Sequence, residues 1–381
     1  MVTSTPRCGV RGKVGTVQDL KVDPELNEWL EQVWARRGSD LLLLAGRPAR
    51  TRVDGELEDI APETVREEVI RRCTRSLVTD EQAEEFEVEG DCDFAFTWED
   101  KARIRGNAYH QRGEAALALR LIPKEIPSFD ELGLPESVRE LARMTRGFVL
   151  VTGQTGAGKT TTLASLCKEI IETRPCHVLT IEDPIEFVQE SKRASVSQRE
   201  VGRDAASFAS ALRAALREDP DVILLGEMRD PESIETALTL AETGHLVFAT
   251  LHTNDAAQAI DRIIDAVPVA KTNQVRAQLA AGLTAVVSQR LLPRKGGGRQ
   301  IVVFEVMIAT TAVRNLVREG RLNQLARLIA TGEREGMVAL NTSLATAVAA
   351  GDLDEEIALA TSADSGGLIL QLARLRGGPS H

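Results

Sequence analysis

Gly153-Gln154-Thr155-Gly156-Ala157-Gly158-Lys159-Thr160 has the glycine spacing and terminal Lys-Thr pair of a loop that cradles a polyphosphate. Glycines at 153, 156 and 158 let the backbone turn its N–H groups toward phosphate oxygens. A helix starting at the end of the loop adds the positive end of its dipole. Lys159 has the reach for the β- and γ-phosphates, the Thr160 hydroxyl is the expected Mg²⁺ ligand, and Thr161 continues the phosphate-facing junction. A glycine-rich turn matching by accident would need other flanks. Here residues 148–152 form an apolar strand-type run, and Leu163, Leu166, Ile170 and Ile171 follow at near-helical spacing.

Two more apolar runs end in acids. Residues 178–181 lead into Glu182-Asp183-Pro184-Ile185-Glu186, which puts three carboxylates at the carboxyl end of a strand, where ligands bind in open α/β sheets. Such a cluster is poised for Mg²⁺ and water. Residues 222–225 lead into Gly226-Glu227, like a Walker B segment with Gly226 in place of the usual metal-facing Asp. Phosphoryl transfer to water needs a group that orients or deprotonates the water, and a metal that bridges phosphate oxygens. Glu186 and Glu227 are the candidates, weighed against the ordinary role of Glu as a solvated surface acid.

His245 and His252 bracket the next apolar run, but an extended strand would hold them roughly 23 Å apart, too far to share one ion. His252, beside Thr250 and Thr253, either senses a γ-phosphate, contacts a neighbouring loop or is a hydrogen-bonded structural residue; for His245 the structural role is the better one. Arg213 and Arg217 share a helical face, as surface ion-pair partners or as holders of a carboxylate or phosphate.

A chain of 381 residues, 43% hydrophobic and 27% charged, is long enough for two or three globular domains. Its formal net charge of −11 and its 3% of aromatic residues argue against a protein built to grip nucleic acid. The five cysteines form no C-x-x-C pair and no zinc spacing, so they read as reduced thiols, with Cys73 on the apolar stripe of Val65, Val69, Ile70 and Leu77. Neither a signal peptide nor a membrane span is expected, since apolar stretches of the needed kind are missing.

The elements that must position these residues follow in order. Residues 1–21 read as a mobile leader. Residues 22–122 read as a small α+β domain: a helix capped by Asp23-Pro24, short strands over 41–44 and 49–53, a helix over 63–76, and strand-type runs near 94–98, 103–105 and 115–122. Arg103, Arg105, Arg112 and Arg120 fall on that sheet or its connections, where the plain account is a solvated basic face. The Pro-bearing stretch 123–130 reads as a linker, and 131–361 as alternating strands and helices on a mostly parallel sheet, with 362–381 a tail.

Taken together, GQTGAGKTTTLA, TIEDPIEF (180–187), ALREDPDVILLGEMRD (215–230) and AETGHLVFATLHT (241–253) resemble, in order, the Walker A, acidic, Walker B and histidine boxes of the secretion ATPase superfamily. Within it the chain resembles the type IV pilus retraction (twitching-motility) ATPases, the PilT family. Ala312-Val313-Arg314-Asn315-Leu316-Val317-Arg318-Glu319 is similar to the AIRNLIRE motif of that branch, and no cysteine follows Cys176 to build the zinc module of the secretion and assembly branches. Gln154 departs from the Pro common in the family's phosphate loop.

The resemblance implies a RecA-like P-loop domain, a smaller PAS-like N-terminal domain and a homohexameric ring that hydrolyses Mg-ATP. It implies Glu186 as the catalytic glutamate, Glu227 as the Walker B glutamate near Mg²⁺ and water, and His252 as the histidine nearest the nucleotide. Arg105 and Arg120 match arginines that reach phosphates at a domain or subunit interface, and Arg213 and Arg217 match the paired arginines of the nucleotide domain. The implied work is rotation between domains about the 123–128 hinge, passed to an inner-membrane platform protein from the cytoplasmic face so that pili retract. Alternatives are an accessory ring that depends on a paralogous retraction ATPase, and a nucleic-acid translocase, against which charge and composition speak.

Overall fold

The computed structural model describes residues 21–228, 230–298 and 300–376. Apart from Lys21, the expected leader lies outside the described residues. The chain divides into two compact units, Met1–Glu125 and Ile126–His381.

In the first unit, helix α1 (Pro24–Ala35) starts where the Asp23 carboxylate accepts from the N–H groups of Glu25 at 3.0 Å and Leu26 at 3.4 Å, with Pro24 in the first turn. Its Leu26, Leu30 and Val33 are fully buried. Strands β1 (Asp40–Leu44), β2 (Pro48–Val53) and β3 (Glu56–Thr64) precede helices α2 (Glu67–Leu77) and α3 (Asp80–Glu89), and β4 (Asp91–Trp98), β5 (Ala102–Gln111) and β6 (Glu114–Pro123) follow. They form a six-stranded sheet in the order β3-β2-β1-β6-β5-β4 with antiparallel neighbours. This is the small PAS-like α+β unit that the sequence implies.

Two details differ from the sequence reading. The second helix begins at Glu67 and not near 63, because residues 56–64 pair with β2 as a strand. Helix α3 has almost no apolar periodicity to announce it; it is set by the Thr79–Gln82 capping box and by Gly90 closing it at φ 77°. Cys73 lies on α2 in the core, and burial pushes its thiol up to about 12.

The second unit opens with two short helices, α4 (Phe129–Leu132) and α5 (Glu136–Arg139), and then β7 (Gly147–Thr152), α6 (Lys159–Thr173), β8 (His177–Glu182), β9 (Ser195–Glu200), α7 (Phe208–Ala215), β10 (Val222–Leu225), α8 (Pro231–Glu242) and β11 (Leu246–Leu251). Next come α9 (Ala256–Ala266), α10 (Thr272–Gly282), β12 (Leu283–Leu292), β13 (Ile301–Ile308), α11 (Thr311–Glu319), α12 (Leu325–Thr331), α13 (Leu340–Ala349), α14 (Glu355–Thr361) and α15 (Ser365–Arg376). The sheet has seven strands in the order β13-β12-β7-β11-β10-β8-β9, parallel except for the β12–β13 hairpin.

Strands β7, β10 and β11 are buried along their whole length, as central parallel strands with helices on both faces must be. Alternation divides their side chains: Phe148 and Leu150 join one core, Val149 and Val151 the core on the other face. Each such buried side chain contributes about 1.5–3 kcal/mol. The sheet is thereby a rigid frame whose carboxyl edge carries the loops of interest.

Within the stretch expected as a tail, residues 365–376 form a packed helix. Helix α15 buries Leu368 and Leu372, four residues apart, in a satellite core with Leu344 of α13 and Val303 of β13. In the retraction-type motif on α11, Val313 and Val317 are buried, and Arg314 donates to the carbonyls of Ala280 and Ala309, both at 3.0 Å. Arg314 thus ties α11 to the end of α10. No helix among the described residues is long and apolar enough to cross a membrane.

Candidate active site

The loop between β7 and α6 is shaped by its glycines. At Gly153, with φ 150°, a Cβ would lie 2.5 Å from the Gln289 carbonyl oxygen and 2.9 Å from the Ala157 Cβ, so only glycine fits. Gly158, at φ 82°, is the N-cap of α6 and brings no side-chain cap. The first N–H groups of the helix have no intrahelical acceptor, and an anion is their natural partner.

Lys159 is buried, and its Nζ donates to the carbonyls of Gly153 at 2.9 Å and Gln154 at 3.0 Å. Burial draws its pKa below the ordinary 10.5, while the Glu227 and Glu186 carboxylates pull the other way. The field of both acids therefore reaches the loop lysine. The same Nζ lies 3.3 Å from Nδ1 of His252, whose Nε2 lies 3.2 Å from Oε1 of Glu227. Thr155 Oγ1 is 3.5 Å from His252 Nδ1, and Gln154 Nε2 donates to Asn254 Oδ1 at 3.3 Å. Lys159, His252 and Glu227, separate in sequence, thus form one relay at the ends of β7, β11 and β10.

The three carboxylates after β8 do not act alike. Glu182 is buried and accepts from Thr180 Oγ1 at 2.6 Å and Gln198 Nε2 at 3.1 Å; burial pushes its pKa above the ordinary 4.5. With its carboxylate taken up by these neighbours it serves as a structural acid. Glu186 lies further along, in the loop between β8 and β9. His245, at the far end of β11, is structural: its Nδ1 lies 2.9 Å from the Leu240 carbonyl oxygen.

The oxygen donors Thr160 and Glu227 suit Mg²⁺, which takes hard oxygen ligands, keeps several waters and leans on substrate phosphates more than on a full protein cage. Thr160 lines a small cavity with Thr180, Glu182, Gly226 and Thr250.

Gln289 on β12 was not foreseen. It is 1% exposed, its Nε2 donates to the Ala157 carbonyl at 2.6 Å, and its own carbonyl closes on Gly153. Its neighbour Ser288 accepts from Thr152 Oγ1 at 2.8 Å. The strand beside β7 therefore buttresses the phosphate loop at both ends. Only the Ser-Gln pair in an apolar run could have signalled this.

The arginines fall into two groups. Arg213 pairs with Glu232 and Arg217 donates to the Arg213 carbonyl at 3.4 Å, both on exposed side chains of α7 and the turn after it. In the first unit, Arg105 and Arg120 are register partners on β5 and β6, and Arg120 Nε donates to Asp40 Oδ1 at 2.9 Å.

A phosphate loop on the central strand, with a lysine in the field of two glutamates, defines a P-loop nucleoside triphosphatase. The family described as Type II/IV secretion system protein matches residues 18–349, and the chain belongs to it. The chain is 46% identical over 323 residues to the type IV pilus retraction ATPase PilT of Pseudomonas aeruginosa, covering 84% of this chain and 94% of that protein. It is 46% identical over 308 residues to the twitching motility protein of Neisseria gonorrhoeae, covering 81% and 82%, and 35% identical over 348 residues to the type IV pilus ATPase PilU of P. aeruginosa, covering 91% of each. Its fold matches the crystal structure of the pilus retraction motor PilT with bound ADP at a TM-score of 0.81 and 43% identity, covering 90% of this chain and 98% of that one.

Proposed function

We propose that this chain is the Mg-ATP hydrolase that drives type IV pilus retraction. The observation that carries the chemistry is the Lys159–His252–Glu227 relay around the phosphate loop, with Glu186 close enough for its charge to act on Lys159. The long match to PilT supports the biological role; the lower identity to PilU speaks for the principal motor over an accessory ring that needs a paralogue.

In this reading ATP lies with its phosphates on the N–H groups of the loop and of the first turn of α6, contacting Gly153 to Thr161. Lys159 turns from the loop carbonyls to the β- and γ-phosphates. Thr160, with Glu227 through water, would hold Mg²⁺, which would supply positive charge against the phosphate oxygens. Glu186 takes a proton from the attacking water as its oxygen bonds to the γ-phosphorus and the bond to ADP breaks. His252 keeps Glu227 and Lys159 in register.

Arg105 and Arg120 belong to the same reading through assembly. Two guanidiniums directly opposite on a sheet favour an anion beside them, and Asp40 is one; a phosphate held in a neighbouring subunit of a homohexamer is the other. Arg213 and Arg217 serve the ring from the nucleotide unit. Rotation of one unit against its neighbour is the mechanical output, delivered to a platform protein at the cytoplasmic face of the inner membrane. Steady-state hydrolysis and nucleotide binding by Glu186→Gln test the chemistry: binding retained with turnover abolished is expected, and turnover near wild type would remove Glu186 from the mechanism. Unchanged hydrolysis in both Arg105→Ala and Arg120→Ala would remove the interface arginines.

A further inference from the structure

The loop after β8 carries Glu186 but has little apolar anchoring of its own; apart from Phe187, the side chains of 183–190 are half-buried or exposed. Its backbone is held by polar side chains from the neighbouring edge strand. The Ile185 N–H donates to Glu200 Oε2 at 3.1 Å, and the Phe187 carbonyl accepts from Gln198 Nε2 at 2.9 Å. The Gln189 N–H donates to Gln198 Oε1 at 2.7 Å, and Gln189 Nε2 reaches the Ala164 carbonyl on α6 at 3.0 Å.

Strand β9 pairs with β8 in parallel, Gln198 opposite Thr180 and Glu200 opposite Glu182. Two residues apart, Gln198 and Glu200 share a face of the sheet. Glu200 is 2% exposed, and its own N–H is held by Asp204 Oδ2 at 2.9 Å. Gln198 also donates to Glu182 Oε1 at 3.1 Å, which explains why a buried acid stands at the end of β8: it fixes the amide that fixes the loop.

We propose that Gln198 and Glu200 are positioning residues for Glu186, clamping the peptide groups on either side of it so that its carboxylate meets the attacking water in one geometry. The inference rests on Glu186 being the group that handles that water. Within the loop the clamp holds backbone on either side of Glu186, so its loss changes where the carboxylate points and leaves the phosphate loop intact. A displacement of about 1 Å at a reacting group costs on the order of a hundredfold in rate.

The test compares Gln198→Leu, Glu200→Leu, Glu200→Gln and Glu186→Gln in the full chain, measuring kcat for ATP and, separately, affinity for a fluorescent ATP analogue. Both leucine variants are expected to lose roughly ten- to a hundredfold in kcat with analogue affinity unchanged. Glu200→Gln, whose amide oxygen still accepts the Ile185 N–H, is expected to stay near wild type. Added to Glu186→Gln, Gln198→Leu should lower no further any turnover that remains detectable, since a clamp without its client has nothing to position. Wild-type kcat in Gln198→Leu, or parallel loss of kcat and affinity in both leucine variants, would overturn the clamp. Wild-type turnover in Glu186→Gln would instead overturn the role of Glu186 itself.

Discussion

His252 Nε2 stands 3.2 Å from Oε1 of Glu227, and its other ring nitrogen faces the Lys159 ammonium at 3.3 Å. An ammonium only donates and a carboxylate only accepts, so a neutral ring protonated on Nε2 satisfies both neighbours at once. The histidine is thereby a spacer that keeps lysine and glutamate from collapsing onto each other. His252→Ala should lower ATP turnover roughly a hundredfold, the size of effect seen when one preorganised group is removed from a reacting centre. Steady-state hydrolysis checks this; a rate within about twofold of wild type would reduce His252 to packing.

Lys159 gives a prediction about pH and stability. Its pKa is lowered from 10.5 by burial, so its contribution to stability is present above 10.5 and lost as pH falls through the folded value. At neutral pH the buried ammonium is a cost, carried for the sake of phosphate binding. Lys159→Met should therefore melt no lower than wild type without nucleotide, yet show no stabilisation by Mg-ATP. Melting several degrees lower would mean that the hydrogen bonds to Gly153 and Gln154 outweigh desolvation.

Gln289→Leu removes the donor to the Ala157 carbonyl and leaves that oxygen unsatisfied in a buried place, a loss of about 1–3 kcal/mol. Because Gln289 backs the phosphate loop, the loss should appear as a rise of roughly tenfold in KM for ATP, with kcat less affected. An unchanged KM would show that the loop holds its shape without the strand behind it.

Much of this site was legible in the sequence, for physical reasons. The phosphate loop carries its own glycine requirements, and Lys159, Glu227 and His252 each follow an apolar run that could only be a buried strand. The supports were not legible. Gln198, Glu200 and Gln289 act through backbone atoms of residues distant in sequence, and nothing in their spacing says which loop they will face. Glu182 shows a further limit: three acids within five residues look alike in sequence, but strand alternation turns Glu182 inward to Thr180 and Gln198 while Glu186 lies beyond the strand. In the first unit, α3 was illegible because caps define it and hydrophobic spacing does not.

Glu182 itself is testable by pH. Burial raises its pKa above 4.5, so its contribution to stability is present below 4.5 and lost as pH rises through the folded value. Glu182→Gln keeps an oxygen for Thr180 and Gln198 and removes the titration. Thermal melts across this range should show a flatter pH dependence in the variant and higher stability at neutral pH; an identical slope would show that Glu182 does not carry it.

The central claim is that this chain turns ATP hydrolysis into pilus retraction, and labelled pili in living cells test it directly. Retraction is measured in cells that lack the chain and in the same cells carrying wild type or Lys159→Ala. Pili that extend but fail to retract without the chain, and recover only with wild type, are the predicted result. Retraction at normal speed and force in its absence would contradict the account.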